Sequence, residues 1–227
     1  MVCGGRPPGG ETDLACGVCW SRLPLLPQPQ CARCGYPAAD GACRWCPLLP
    51  PYVRAVRSAC WMPEGVAGDL IHAFKYDGWW TLARGIGVRM ARQAWPADVI
   101  GERQALIPVP LSTRRQRQRG YNQSALLAAA MASRWRVPVW GDVLQRTRFA
   151  SSQTRLTPEQ RLHNVSGAFR VAGHAARLRG AHVVLVDDVV TTAATLNACA
   201  AALFAGGARI ISYVTFGRAR LPGDAPP

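Results

Sequence analysis

A run of four branched apolar residues, 183–186, leads directly into two adjacent acids, Asp187 and Asp188. An uninterrupted apolar run of this length is typical of a buried strand in a parallel sheet. The residues that follow, 191–195, are threonine and alanine, which predicts a turn of small side chains. An alanine-rich segment then continues to about Ala205, and Gly206 and Gly207 follow it, as is usual at the end of a helix. The pattern predicts a buried strand, a short turn and a helix in succession.

Strands and helices also alternate through the rest of the chain. Apolar segments bounded by Pro, Gly or polar residues predict further strands at residues 52–62, 105–110, 167–171 and 209–216. Helical spacing of apolar residues predicts helices at residues 63–76, 80–95 and 124–134. Because strands that alternate with helices form parallel sheets covered by helices, we expect an α/β fold.

The two acids after the buried strand stand where α/β proteins bind ligands. Ligands of open α/β sheets lie at the carboxyl ends of the strands, and the first N–H groups of a following helix attract phosphate. Two carboxylates beside such a turn suit ribose hydroxyls or a hard cation. In the alternative interpretation, Asp187 and Asp188 only end the strand and cap the helix.

This segment resembles the phosphoribosyl pyrophosphate (PRPP) signature of type I phosphoribosyltransferases. The resemblance implies that Asp187 and Asp188 bind the ribose hydroxyls. It implies that the 5′-phosphate is bound by the turn that follows, at Val189, Thr191, Thr192, Ala193, Ala194 and Thr195. The signature usually has Gly where this chain has Ala193. If that position needs a positive φ or a very close approach to phosphate, Ala weakens binding; if its φ and ψ are helical, Ala is harmless.

The charge of the chain favours an anionic partner. Its 227 residues carry a net charge of +14, and Lys75 is the single lysine among 27 basic residues. Such a field attracts phosphate-rich partners, including nucleic acid and pyrophosphate, although the preference for Arg over Lys is also typical of a GC-rich genome. Lys75 lies at the predicted end of a helix, either as a mobile functional charge or as a solvated helix end.

Two further polar segments are candidates for binding phosphate. After Pro110 we predict a strongly basic loop, and the repulsion among its arginines favours a pyrophosphate or nucleic-acid contact. Residues 148–164 have few apolar side chains, and a long polar segment of this kind is usually a lid or disordered. The candidate residues for pyrophosphate or lid contacts are Lys75, Arg114, Arg115, Arg119, Asn122, Gln123, Gln153, Arg161 and Asn164.

Seven of the nine cysteines occur within the first 46 residues, in a pattern that predicts zinc binding. Two Cys-x-x-Cys turns complete a tetrahedral zinc site, and so polar a segment needs a metal to fold. We favour one complete site from Cys31, Cys34, Cys43 and Cys46. A second, partial site would use Cys3, Cys16 and Cys19, which lack a fourth ligand; a cross-brace of alternate turns is the rival arrangement. Cys60 and Cys199 are expected to be buried as small apolar residues.

Prolines at residues 47–51 predict a stiff linker and divide the chain. We expect a cysteine-rich zinc ribbon at residues 1–50, a phosphoribosyltransferase-like domain at 51–220 and a disordered tail at 221–227. Arg33, Arg44 and Trp45 on the cysteine turns could stack on nucleic acid, unless the ribbon is purely structural. The chain has no apolar run long enough to span a membrane and no signal-peptide pattern near Met1, so we expect a cytoplasmic protein with no membrane insertion.

In their order along the chain, these blocks resemble the ComF family of competence-associated proteins. The resemblance covers nearly the whole chain and depends on the cysteine-rich head, the Lys75 helix, residues 107–110, 119–123 and 153–169, and the PRPP signature. It implies a double zinc ribbon fused to a type I phosphoribosyltransferase domain, with a role in handling single-stranded DNA during uptake for natural transformation. It also implies Mg²⁺ bound with PRPP, and DNA-uptake or recombination proteins as possible partners. Either the chain is a working transferase of unidentified acceptor, or it is a non-catalytic nucleic-acid-binding or regulatory module.

Overall fold

The computed structural model describes residues 14–37, 43–63, 65–147 and 167–220. Its centre is a parallel sheet of four strands: β1 (Val53–Met62), β2 (Arg103–Pro108), β5 (His182–Val190) and β6 (Ile210–Ala219). The strands lie in the order β1-β6-β5-β2, and all three neighbouring pairs are parallel. Two short strands, β3 (Leu144–Arg146) and β4 (Phe169–Val171), form a separate antiparallel pair. The predicted α/β fold with a parallel sheet is confirmed.

Helices connect the strands and cover the sheet. In chain order they are α1 (Gly17–Ser21), α2 (Gly65–Tyr76), α3 (Leu82–Ala91), α4 (Ala97–Glu102), α5 (Thr113–Arg119), α6 (Gln123–Trp135) and α7 (Ala194–Ala205). Single turns of 3₁₀ helix occupy Cys46–Leu48 and Ala175–Leu178. Helix α7 ends at the predicted glycines, where Gly207 has a φ of 102°.

The prediction of a loop after Pro110 is wrong, because Thr113–Arg119 forms helix α5. The side chain of Ser112 accepts a hydrogen bond from the backbone N–H of Arg115, which caps the first turn. Gly120 ends the helix with a φ of 82°, in the left-handed region that favours glycine. Since Arg and Gln have high helix propensity, a cap and a terminal glycine suffice to fold this stretch.

Strand β5 is longer than the apolar run that predicts it. It continues through both acids to Val190, because Asp187, Val189 and Val190 pair in register with β6. The acids therefore belong to a central strand with neighbours on both sides. Their backbone position is set by the sheet.

The two faces of the sheet have separate cores. One core lies under α2, α3 and α6 and includes Leu70, Phe74, Ile86, Leu127 and Met131. The other lies under α7 and under residues of the cysteine-rich head. Cys60 and Cys199 are fully buried, as predicted. Within the described part of the chain, no helix is long and apolar enough to cross a membrane.

The head packs on the sheet more closely than its polar sequence predicts. Trp45 and Tyr36 are buried in the same core as strands β5 and β6. Arg33 donates hydrogen bonds to the backbone oxygens of Leu49, Pro50 and Val53. The expectation that Trp45 is displayed on the cysteine turns is wrong, because its ring packs inward, whereas Arg44 is exposed. The division near residue 50 stays a prediction, and the predicted tail at 221–227 lies outside the described residues.

Candidate functional site

The acid pair lies near the carboxyl end of β5, and the fold orients one of its members firmly. The Oδ1 atom of Asp187 accepts a hydrogen bond from the hydroxyl of Ser124, at 2.9 Å, and another from the backbone N–H of Asp188, at 2.9 Å. Ser124 lies in the first turn of α6, which packs on β5. One oxygen of Asp187 is therefore used by the protein, and its orientation is fixed.

Asp188 faces the single lysine of the chain. The Nζ atom of Lys75, in the last turn of α2, lies 2.7 Å from Oδ1 of Asp188, whose side chain is only 6% exposed. The Oδ2 atom of Asp188 is buried without a hydrogen-bond partner among the described residues. Because an unsatisfied buried carboxylate oxygen is unfavourable, this atom is suited to accept a hydrogen bond from a ligand or to bind a cation.

The environment of the pair keeps a proton available near neutral pH. Burial and the neighbouring Asp188 carboxylate raise the pKa of Asp187 from 3.8 to about 7, although Ser124, the backbone N–H of Asp188 and Lys75 oppose the shift. Lys75 pairs with Asp188, and the adjacent Asp188 carboxylate disfavours ionisation of Asp187. Binding of a cation or of hydroxyl groups would favour the ionised form.

Residues 191–195, named here the threonine loop, run from the end of β5 into the first turn of α7. Ala193 caps α7 with a φ of 60° and a ψ of 4°, and in the described part of the chain no side-chain cap accepts a hydrogen bond from the first turn. The N–H groups of that turn are therefore available to an anion. A cavity of about 70 Å³ is lined by Asp187 and by residues 189–196. Ala193 has the left-handed conformation, so of the two alternatives for this position the structure has the one in which alanine is strained.

A larger cavity of about 660 Å³ lies against the acid pair. It is bounded by the end of α2, the residues after β2, helix α5, the end of β3 and the threonine loop. Its lining residues are Lys75, Tyr76, Gly78, Val109, Pro110, Leu111, Arg115, Gln118, Arg119, Gln123, Arg146, Asp187, Asp188 and Thr195. Acids at one wall and arginines at another would suit a ligand that carries both hydroxyl and phosphate groups.

The arginines of this cavity crowd one another. Burial lowers the pKa of Arg146, and the neighbouring Arg115 lowers it further. Arg119 donates a hydrogen bond of 2.5 Å to Oε1 of Gln123, and its guanidinium lies 5.4 Å from the ring of Tyr76. Two cations that repel each other beside an open cavity indicate a site for an anion.

The structure brings together most of the residues predicted for this site. The larger cavity contains Lys75, Arg115, Arg119, Gln123, Asp187, Asp188 and Thr195, and the smaller one contains Val189, Thr191, Thr192, Ala193, Ala194 and Thr195. Asn122 lines neither: its Nδ2 donates to the oxygen of Val109, and its Oδ1 accepts from the backbone of Ser124. Arg114 is exposed on α5 and lines neither cavity. Gln153, Arg161 and Asn164 lie outside the described residues.

Among the residues of the site that the sequence did not predict are Ser124, Arg146 and Tyr76. The hydroxyl of Ser124 donates a hydrogen bond to Asp187. Arg146, at the end of β3, and Tyr76, which follows Lys75, both line the larger cavity. Ser124 and Arg146 each come from an element far from the acids in sequence, so no local sequence pattern predicts that they reach the site. Tyr76 could have been found, since an aromatic residue beside the single lysine at a helix end is a local signal.

A second candidate centre lies in the head. The sulfur atoms of Cys31, Cys34, Cys43 and Cys46 all lie within 4.8 Å of one another, with 3.5 Å between Cys31 and Cys46. Tetrahedral zinc with bonds of about 2.3 Å places sulfurs about 3.8 Å apart, so these four cysteines could hold a zinc ion.

The structure also brings together part of the other predicted set. The sulfur of Cys16 lies 3.7 Å from that of Cys19, and the third predicted ligand, Cys3, lies outside the described residues. The second site therefore stays a prediction.

Comparison with known proteins agrees with this combination of elements. Residues 122–224 match the family model described as a phosphoribosyl transferase domain. The DNA utilization protein YhgH of Escherichia coli (strain K12) is 33% identical over 205 residues, which cover 86% of each chain. Competence protein F of Haemophilus influenzae is 37% identical over 133 residues, covering 56% of this chain and 57% of that protein. The chain belongs to the ComF family.

More distant proteins are similar to this ComF-family chain as well. Competence protein ComFC of Bacillus subtilis (strain 168) is 26% identical over 213 residues, covering 86% of this chain and 80% of that protein. Among solved structures, a glutamine PRPP amidotransferase from B. subtilis is similar over 60% of this chain and 26% of that one, with 18% identity and a TM-score of 0.41.

Proposed function

We propose that this ComF-family protein binds PRPP together with Mg²⁺ in the large cavity and acts in the handling of single-stranded DNA during uptake. One observation carries the proposal: an acid pair, a threonine loop and three arginines line two cavities that share Asp187 and Thr195 in their walls, at the carboxyl end of β5. Each group suits a different part of PRPP, and ligands of open α/β sheets bind at this edge.

The three parts of PRPP have three candidate partners. The ribose hydroxyls would donate to Asp187 and Asp188, including the unpartnered Oδ2 of Asp188. The 5′-phosphate would accept from the N–H groups at the start of α7. The pyrophosphate would bind between Arg115, Arg119 and Arg146, and it would compete with Asp188 for Lys75.

The donor set fits Mg²⁺, which prefers carboxylate oxygens and keeps several of its waters. Asp187 and Asp188 would hold it through water, and the orphaned oxygen of Asp188 supports this assignment. The ion would supply positive charge to the pyrophosphate. The chain's own part is to orient the ribose, to neutralise the pyrophosphate with arginines and to exclude water from the reacting carbon. The predicted lid, residues 148–164, lies outside the described residues.

A non-catalytic binding or regulatory module is the second candidate. It is favoured by the strained Ala193 and by the Lys75–Asp188 ion pair, which PRPP would have to break. Both features would weaken the binding of PRPP while leaving the cavity in place. The acceptor of a transferase reaction stays unidentified in either case.

The proposed role in DNA uptake is supported by the relatives and by charge. Curated relatives carry the names DNA utilization protein and competence protein, and the chain has a net charge of +14. Four arginines in α5, with no acid in that helix, would attract a phosphate backbone.

Calorimetry with PRPP and Mg²⁺ tests the first step. We expect saturable heat with PRPP; no heat at millimolar ligand would exclude it as the ligand. A screen of nucleobases and amines for PRPP-dependent pyrophosphate release then separates the transferase from the regulatory module. A gel shift with single-stranded oligonucleotides at rising salt tests the DNA role, which fails if no shift occurs even at low salt.

A further inference from the structure

Arg218, in β6, is buried in an unusual way. Its side chain is 0% exposed, and its Nε and Nη1 atoms have no hydrogen-bond partner within the described part of the chain. Its Nη2 atom donates to the backbone oxygen of Cys34 at 2.6 Å. The guanidinium lies 4.3 Å from the ring of Trp45. A buried guanidinium with two unsatisfied nitrogens needs an anionic partner close by.

A second arginine is buried beside the same cysteine turn. Arg57, in β1, is 7% exposed and donates to the backbone oxygens of Ala32, at 3.0 Å, and Arg33, at 3.4 Å. Three consecutive carbonyls of the Cys31-x-x-Cys34 turn therefore accept from Arg57 and Arg218. The turn is held on the sheet by two cations.

Neither guanidinium makes an ion pair with a carboxylate among the described residues. Their other described polar contacts are to backbone carbonyls: Arg57 also donates to the oxygens of Ala94, at 2.6 Å, and Val56, at 2.8 Å. The turn that both guanidiniums hold supplies two of the four clustered sulfurs, those of Cys31 and Cys34.

We infer that Arg57 and Arg218 are the charge partners of a metal ion held by Cys31, Cys34, Cys43 and Cys46. Four thiolates around a divalent cation leave two excess negative charges, and two guanidinium ions neutralise them. The metal-loaded head then buries no net charge, whereas the metal-free head leaves two buried cations with no anionic partner among the described residues. Residues that bind no metal themselves thus set the affinity of the site, as outer-shell groups do in other metal sites.

The position of Arg218 links this balance of charge to the edge of the sheet where the threonine loop begins. Arg218 pairs in register with Val190, the residue immediately before the threonine loop. The head also bonds to α7, since Nδ2 of Asn197 donates to the oxygen of Leu48 at 2.7 Å. The balanced metal centre therefore holds the head against the strand and helix that carry the loop.

Competitive titration of the full-length protein with Co²⁺ and Zn²⁺ tests this inference. Arg218→Met should weaken metal binding about 10- to 100-fold, and Arg57→Met should weaken it in the same direction. Arg218→Lys keeps the charge and should stay within about tenfold of the wild type. Arg209→Met is the matched control: Arg209 precedes β6, is exposed and pairs with Glu102, so metal affinity should not change.

A second measurement separates charge balance from simple packing. A packing role predicts that Arg218→Met destabilises the metal-loaded and chelated proteins equally, with unchanged metal affinity. Charge balance predicts that chelation destabilises the wild type more than it destabilises the variant. Wild-type metal affinity and an unchanged Co²⁺–thiolate absorption band in both methionine variants would overturn the inference. If Arg218→Met does not fold, Arg57→Met and Arg218→Lys decide between the two accounts.

Discussion

The threonine loop and helix α5 face one cavity and offer phosphate two different kinds of site. The loop, residues 191–195, has no charged side chain and runs from the end of β5 into the first turn of α7. It can bind an anion only through N–H groups and hydroxyls in fixed positions. Helix α5 is seven residues long, is mostly exposed and carries four arginines. It attracts anions by charge, with little demand on their shape.

This difference separates selectivity from attraction. Interactions with backbone N–H groups at a rigid loop depend on geometry and change little with ionic strength. Exposed arginines act over a Debye length of about 8 Å at physiological salt, and added salt weakens them. We therefore expect the loop and the acid pair to decide which ligand binds. Helix α5 should decide how fast and how tightly polyanions in general are held.

The largest expected effect comes from removing one acid of the pair that we expect to select the ligand. Asp188→Asn takes away the partner of Lys75 and the charge that would accept the ribose hydroxyls. We expect PRPP affinity, measured by calorimetry, to fall by about 100-fold or more. Binding of single-stranded DNA, measured by gel shift, should be unchanged.

Asp69→Asn is the control, because Asp69 is an exposed acid on α2. Circular dichroism must show that both variants keep the fold. If Asp188→Asn binds PRPP as the wild type does, the acid pair has no part in selection.

The next test acts on helix α5, where two arginines two residues apart differ in position. Both are exposed, but Arg115 lines the cavity and Arg117 does not. Arg115→Gln should weaken PRPP binding by about tenfold, and Arg117→Gln should leave it unchanged. Each variant should reduce the slope of log affinity for single-stranded DNA against log salt by about 1.

Equal loss of PRPP affinity in the two variants would mean that helix α5 attracts PRPP only through its overall positive charge. An unchanged salt slope in both would mean that DNA binds elsewhere on the protein.

Much of this comparison follows from local sequence. The apolar run before Asp187 predicts β5 and α7 correctly, because burial and helical periodicity are local properties. The spacing of Cys31, Cys34, Cys43 and Cys46 likewise predicts a cluster, since two short turns bring four sulfurs together. Helix α5 could also have been predicted, because Ser112 and Gly120 are recognisable caps. Its four arginines suggest a charged loop, although arginine has a high helix propensity.

Other features depend on contacts that no local pattern contains. Lys75 reaches Asp188 only because α2 ends above the edge of the sheet. Arg218 and Trp45 are buried against each other, although arginine in a strand usually indicates an exposed position. The conformation of Ala193 follows from the sharp passage from β5 into α7, since alanine itself disfavours a positive φ.

A smaller effect concerns the proton shared by the acid pair. The pKa of Asp187 is raised to about 7 in the folded protein, so the folded state binds this proton more tightly than the unfolded state does. The stability that it contributes is full below about pH 4 and declines until about pH 7. Asp187→Asn should remove this decline. Relative to the wild type, its Tm should rise by a few degrees between pH 4 and pH 8.

The difference in Tm between variant and wild type isolates this group, because other titrating residues cancel. Asp69→Asn should give a difference that does not vary with pH. A constant difference for Asp187→Asn as well would show that Asp187 is ionised throughout this pH range.

The smallest expected effect concerns the strain in the threonine loop itself, and two neighbouring alanines measure it. Ala193 has a φ of 60°, whereas Ala194 is the first residue of α7. Replacing either by glycine adds similar entropy to the unfolded chain, so this term largely cancels between the two variants. Two differences remain. The left-handed conformation disfavours alanine by about 1 kcal/mol or more, whereas Ala193, which is 3% exposed, loses a more deeply buried methyl group than the half-buried Ala194 does. Because the strain is the larger of the two, Ala193→Gly should be more stable than Ala194→Gly by about 2 °C in Tm, measured by thermal unfolding.

Ala193→Gly should also bind PRPP about threefold more tightly than the wild type, because phosphate can approach a backbone without a Cβ more closely. A lower Tm for Ala193→Gly together with unchanged PRPP affinity would mean that strain at this position does not limit binding, and selectivity would then come from the acids alone.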